Sequence, residues 1–138
     1  MGARVSGDTD VFARPRWRNR ARFRTAGQRI LRHVLARTAA GKDADGRAFA
    51  PYSAAYAKRK GVDPASVDLR SAGRGPHMLD DLAVVEVSDE GVVVGFANPA
   101  MDDRADYIVN GRTPRNFMAL EDSFLDEIVS FIADGITD

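Results

Sequence analysis

Apolar and polar positions alternate most regularly between Leu82 and Phe96, where LAVVEVSDEGVVVGF holds two short apolar runs separated by Ser88-Asp89-Glu90-Gly91. Small polar residues ending in Gly are turn chemistry, because Gly takes the positive φ that closes a tight hairpin. The pattern predicts an antiparallel β-hairpin of Leu82 to Val87 and Val92 to Phe96. Strict alternation places Leu82, Val84 and Glu86 on one face and Ala83, Val85 and Val87 on the other, with Val92, Val94 and Phe96 opposite to Val93 and Gly95. Both faces are largely apolar. An isolated hairpin is marginal in water, so this one needs a cover.

The pattern changes period on either side. From Pro15 to Ala40, Phe23, Ala26, Ile30 and Val34 recur at helical spacing, with Gly27, Leu31 and Leu35 one column over. This predicts a long amphipathic helix, with Pro15 suited to its first position and Gly41 to the αL residue that ends it. Near the C-terminus, Phe124, Leu125, Ile128, Phe131 and Ile132 give a second amphipathic helix over Glu121 to Ile136. Glu121 and Asp122 suit the positive end of its macrodipole, and its apolar stripe is expected to close the hairpin. Met1 to Ala13 has no periodicity and reads as a loose arm. After the hairpin, Asn98 onward reads as a polar loop, then a short helical or extended piece from Ala105 to Val109 stopped by Asn110-Gly111.

Between the first helix and the hairpin the texture is irregular. Asp45-Gly46 is a turn, Phe49 and Tyr52 are apolar anchors around Pro51, and Ser53 is an N-cap for a short helix ended by Gly61. The elements together predict a single α+β domain over residues 1–138. It holds a long N-terminal helix, a short middle helix, an antiparallel sheet around the hairpin and a C-terminal helix packed on that sheet.

Composition adds two constraints. The 138 residues are 44% hydrophobic, enough for one core, and no apolar run reaches the ~18 residues of a membrane span. The chain has no Cys and only His33 and His77 as imidazoles, which removes thiol chemistry and leaves little for a metal site. Charge adds a further constraint. Net charge is zero, yet residues 1–42 hold eleven Lys or Arg against two Asp, and the excess of acid lies in the remainder. Such polarity suits partner-directed contacts, although solvated helix faces of opposite sign would also produce it.

Arg16, Arg18, Arg20, Arg22 and Arg24 alternate beside Trp17 and Phe23. On a helix they surround the whole circumference. Such a cluster docks onto acidic protein surfaces, or binds nucleic acid through phosphate neutralisation and stacking. Other candidate chemistry is thin. Asp80 and Asp81 are adjacent and point apart, Ser53 has no His/Asp relay, His77 follows Pro76 in a Gly-rich loop, and Gly73-x-Gly75 precedes no helix. No catalytic, cofactor or metal residue is assigned.

Three segments carry a resemblance. Asp45-Gly46, Phe49, Pro51-Tyr52-Ser53 and the Lys/Arg cluster after Tyr56 come first; Leu69, Gly73 and Met78-Leu79-Asp80-Asp81-Leu82 follow; Gly111 to Leu120, GRTPRNFMAL, precedes the last helix. In this order they resemble the tailed-phage virion morphogenesis proteins, the Mu-like tail-completion and neck family. Arg74-Gly75-Pro76-His77 is inserted relative to the family pattern, and Asn116 and Ala119 stand where Pro and Gly are usual.

The resemblance implies a structural virion protein at the head–tail junction, present in host cytoplasm during assembly, with no enzymatic activity and no cofactor. It implies a homo-oligomeric ring, six copies by analogy with sixfold tails, contacting the tail tube protein and a head-side connector, with DNA passing through the lumen. Tail terminator and neighbouring neck ring both fit. Arg115, on the Pro114 loop, is expected at an interface, and Phe117 in the core. The alternative is a small nucleic-acid-binding protein that reads through the Arg-rich helix.

Overall fold

The computed structural model describes residues 2–6, 19–70 and 77–134, the first group as backbone only. Three strands, β1 (Gly2–Ser6), β2 (Leu82–Val87) and β3 (Gly91–Phe96), form one antiparallel sheet in the order β1-β3-β2. Among the described residues five helices accompany it: α1 (Arg20–Ala39), α2 (Ala54–Lys60), α3 (Met78–Asp81), α4 (Pro99–Asn110) and α5 (Asp122–Asp134). The α+β class follows from these elements.

The hairpin forms where the alternation places it, with two differences. Its turn uses no left-handed residue: among the described glycines only Gly41, Gly46 and Gly61 have positive φ, and Gly91 opens β3 instead. Ser88 closes the turn, its N–H donating to Gly91 O at 2.9 Å and its hydroxyl accepting from Glu90 N at 3.2 Å. The second difference is a β-bulge. Val84 pairs with Val94, but the next pair is Glu86 with Val93, so Val85 is an extra residue. A bulge shifts the alternation by one. Val87 instead of Glu86 therefore returns to the face of Leu82 and Val84, opposite Val92. Glu86 is exposed, and Val85 stands 44% exposed.

β1 corrects the expectation of a loose arm across residues 2–6. Val5 pairs with Val92 and Ala3 with Val94 along the free edge of β3. An unpaired edge supplies a full ladder of N–H and C=O groups, so a segment without strong periodicity can still pair with it. The rest of that expected arm, with Pro15, lies outside the described residues.

α1 lies across β2 and β3. Phe23, Ala26, Ile30 and Val34 are fully buried, as their spacing predicts. Gly27 faces the sheet so closely that a Cβ there would lie 2.5 Å from Val92 Cγ2. The described helix starts at Arg20, where Asn19 caps it by accepting from Arg22 N at 3.0 Å. Asn19 N donates to Asp89 O at 3.1 Å, tying this cap to the hairpin turn.

α5 carries its apolar stripe as expected, with Ile128 and Ile132 fully buried, but its main partner is α1. It therefore covers the hairpin mainly through α1, which already occupies the apolar sheet face. α4 is the other correction. The stretch expected as a polar loop is helical from Pro99, with Asn98 capping through Ala100 N at 2.9 Å. Met101 and Ala105 are buried, and Ile108 and Val109 half-buried, a stripe at helical spacing.

Candidate functional site

The irregular chain between α1 and α3 is organised by capped turns. Gly41 and Gly61 take the left-handed conformation that ends α1 and α2. Asp43 holds the Asp45-Gly46 turn by accepting from Asp45 N and Arg47 N, both at 2.9 Å. Ser53 caps α2, accepting from Tyr56 N at 3.2 Å. These local devices deliver Tyr52 to the centre of the segment.

Tyr52 is a hub. Its hydroxyl accepts from Leu69 N at 3.1 Å and from Lys60 Nζ at 3.2 Å, while Lys60 also pairs with Asp68 at 2.5 Å. Lys60 Nζ lies 4.9 Å from the Tyr52 ring centroid, the guanidinium of Arg115 lies 5.4 Å from it, and the Tyr56 ring tilts against it at 4.8 Å. Burial works to lower the Lys60 pKa, but hydrogen bonds to Asp68 and Tyr52 outweigh it and raise it. The Asp68 carboxyl is held below its ordinary range: burial opposes this, and the Lys60 hydrogen bond and the Arg70 N–H prevail. Leu69 has φ +60, a left-handed conformation disfavoured for a branched side chain. The Tyr52 hydroxyl, on its N–H, helps to hold it there.

Arg115 joins this hub to the loop before α5. Its Nε donates to Ala50 O and its terminal nitrogen to Pro51 O, both at 2.8 Å. Ala44 N donates to Asn116 O at 2.9 Å, and Phe49 and Phe117 both enter the core. Phe117 is core, as expected. Arg115 is half-buried and engaged within its own chain, on two carbonyls that the Pro51 turn leaves for a bidentate donor to fill. Beside the hub opens a groove of about 400 Å³, bounded by Tyr52, Tyr56, Arg70, Arg104 and Arg115 over Met78.

The N-terminal arginines divide. Arg16, Trp17 and Arg18 lie outside the described residues, while Arg20 and Arg24 are exposed on α1. Arg22 turns inward. It donates to Phe131 O at 2.9 Å and sits 4.6 Å from the centre of that ring, with Arg29 over it at 5.0 Å. Its partner within the chain is α5. The exposed acids Asp122, Asp126 and Glu127 on α5 give that helix a solvent face opposite in sign to Arg20, Arg24 and Arg32 on α1.

Sequence reasoning missed the cluster at Glu121. Arg37 donates to Glu121 Oε1, to Phe117 O at 2.7 Å and to Ala119 O at 2.8 Å. His33 Nε2 lies 2.8 Å from Glu121 Oε2, and its ring stacks on Phe124 at 3.8 Å. Burial alone would raise the Glu121 pKa; its own backbone N–H, the His33 hydrogen bond and the charge of Arg37 bring it below its ordinary value. The signal available in the sequence was an Arg four residues after His33 on one helical face. The partner lies 84 positions beyond Arg37.

Asp80 and Asp81 do point apart, Asp80 to Arg70 at 3.0 Å and Asp81 to Asn98 N at 2.9 Å. His77 is the half-buried residue before α3. Among the described residues no group of three or more His, Cys, Asp or Glu is placed to hold a metal, and no helix is long and apolar enough to cross a membrane. In comparisons with known proteins, no family model, no curated protein and no solved structure matches the chain.

Proposed function

We propose that this chain is a structural assembly protein of a tailed-phage virion, forming a ring at the head–tail junction. The reading rests on the resemblance of its three segments to the Mu-like tail-completion and neck proteins. One observation supports it from the fold. Those segments, far apart in sequence, meet as one packed unit, with Arg115 on the Ala50 and Pro51 carbonyls and Asn116 on Ala44. Leu69 and Met78 complete that unit from the middle segment.

In this reading the work of the protein is recognition. Copies associate head to tail, a heterologous contact that closes into a ring when its rotation does. The basic face of α1 and the acidic face of α5 supply opposite charges for such a contact, which contribute more to encounter and register than to folding. The ring then ends the tail tube and presents a surface to the head-side connector.

Deletion of the gene is the test. The expected result is packaged heads and tail structures left unjoined in lysates, seen by electron microscopy, and a ring on purified tail tubes when the protein is restored. Normal infectious particles from the deletion, or a stable twofold dimer that persists on the particle, overturn the reading. Steeply salt-dependent binding to generic duplex DNA by the isolated protein would favour the nucleic-acid alternative.

A further inference from the structure

The groove beside Tyr52 opens above the core residues Leu69 and Met78. Its volume, about 400 Å³, falls among pockets that hold small molecules or a few side chains. Its floor is apolar, with Leu69 and Met78 buried beneath it. One wall is the corner made by the Tyr52 and Tyr56 rings, inclined at 59°. The rim carries Arg70, Arg104 and Arg115.

The charges of the rim are unequally answered. Arg70 has the carboxylate of Asp80 at 3.0 Å. Arg115 donates to two neutral carbonyls rather than to a carboxylate. Arg104 is exposed on α4. The backbone of the lining, by contrast, is already spent. Tyr52 N donates to Pro64 O, Tyr56 N to the Ser53 hydroxyl, Leu69 N to the Tyr52 hydroxyl and Arg70 N to Asp68. A phosphate cradle draws on converging backbone N–H groups. Those N–H groups are engaged here, and guanidinium groups are left as donors above an apolar floor.

We propose that the groove docks a short acidic peptide segment of another protein, an apolar side chain filling the Tyr52 and Tyr56 corner while flanking carboxylates meet Arg104 and Arg115. The exposed Arg104 offers its guanidinium fork to a carboxylate in two parallel hydrogen bonds, and Arg115, with Nε and one terminal nitrogen on Ala50 O and Pro51 O, offers its remaining N–H groups. The Tyr52 ring, already pinned through its hydroxyl to Leu69 N and Lys60 Nζ, offers a fixed wall to an aliphatic or aromatic side chain. Leu69, held in its left-handed conformation through Tyr52, presents the floor already formed, which lowers the cost of binding. The proposal does not depend on the virion reading, since it follows from the groove alone.

Isothermal titration calorimetry of the full chain, with a blocked six-residue peptide carrying two leucines between pairs of aspartates, tests it. Saturable binding is expected. Arg104→Glu is expected to weaken it roughly tenfold or more, with Arg104→Lys in between, because Lys keeps the charge but loses the fork while Glu reverses the charge. Replacing both leucines by serine is expected to weaken it by roughly tenfold as well, through the apolar area left in water. The melting temperature of each Arg104 variant should match that of the parent, which keeps a folding defect out of the comparison. Absence of binding, or unchanged binding by Arg104→Glu, overturns the proposal. It is equally overturned if inorganic phosphate or a nucleoside diphosphate binds at the groove as tightly as the peptide. Concentration-dependent self-association that Arg104→Glu abolishes would overturn it in favour of a second copy of this chain. Ring formation on tail tubes is measured separately, and neither result there alters the peptide titration.

Discussion

The guanidinium of Arg115 lies 5.4 Å from the centre of the Tyr52 ring while its nitrogens hold the two carbonyls just before that residue. The contact joins the chain after α1 to the loop before α5, so Arg115 acts as an internal clamp. Arg115→Ala is expected to cost about 2–3 kcal/mol, the loss of two charge-assisted hydrogen bonds. Arg115→Lys should recover less than half, because one ammonium cannot reproduce the fork. Phe117→Ala removes a fully buried aromatic side chain and is expected to cost about 3–5 kcal/mol. Urea melts, with Arg115→Lys expected most stable, Arg115→Ala next and Phe117→Ala least, check both residues. An Arg115→Ala protein as stable as the parent would return Arg115 to a surface role.

Gly27 allows α1 to approach the sheet. A methyl there meets Val92 Cγ2 at 2.5 Å and both Val84 γ-carbons at 3.2 Å, and both valines are held on strands. Alanine gains about 1 kcal/mol of helix propensity over glycine. Overpacking costs about 1–3 kcal/mol. Gly27→Ala is therefore expected to be net destabilising, and Gly27→Leu severely so, in thermal melts. A raised melting temperature for the alanine variant would show that the helix can lift off without cost.

Glu121 sets a pH dependence. Its folded pKa lies below the ordinary 4.5, so the carboxylate is ionised in both states at neutral pH and its contribution is fully present there. Below pH 4.5 the unfolded chain takes up the proton first. The contribution declines from there and is gone once the pH has fallen through the lower folded value. Glu121→Gln should lower stability at pH 7 by about 1–2 kcal/mol, with partial solvent exposure of the carboxylate limiting the effect. The same substitution should make little difference near pH 2. Denaturant midpoints across that range, parent against variant, check the convergence.

Arg22 and its neighbours separate folding from association. Arg22→Ala removes a hydrogen bond to Phe131 O and a cation over that ring, and is expected to destabilise the monomer by about 1–2 kcal/mol. Arg20→Glu with Arg24→Glu should leave the monomer as stable as the parent, since both are exposed and acidic side chains suit the positive end of α1. The double reversal should instead weaken ring assembly in a salt-dependent way. Thermal melts beside light scattering at two ionic strengths check this pair.

Thr38 offers a simpler test of the core. It is fully buried, and its hydroxyl has no hydrogen-bond partner among the described residues. Thr38→Val keeps shape and β-branching while removing an unsatisfied polar atom, so a gain of about 1 kcal/mol is expected. A loss of stability in the melt would mean that the hydroxyl has a partner.

What the sequence determined by itself was local. Phe23, Ile30 and Val34 at helical spacing, Ile128 and Ile132 likewise, Ser53 before α2, and Gly41 and Gly61 after α1 and α2 all behave as read, because periodicity and capping depend on residues within a turn or two. Asn98 and Pro99 were an equally local signal for α4, hidden by the polar residues that follow. The tertiary structure decided the rest. Whether Val85 stays in register depends on which face α1 occupies, and the bulge puts Val87 rather than Glu86 against it. Whether an arginine is an interface or a clamp depends on which carbonyls the fold leaves unfilled: Arg22 finds one 109 residues away and Arg115 finds two more than 60 away. No spacing in the chain encodes those distances. Hydrogen-bond acceptors and a partly buried carboxylate such as Glu121 acquire their meaning only when packing has removed the water that would otherwise have satisfied them.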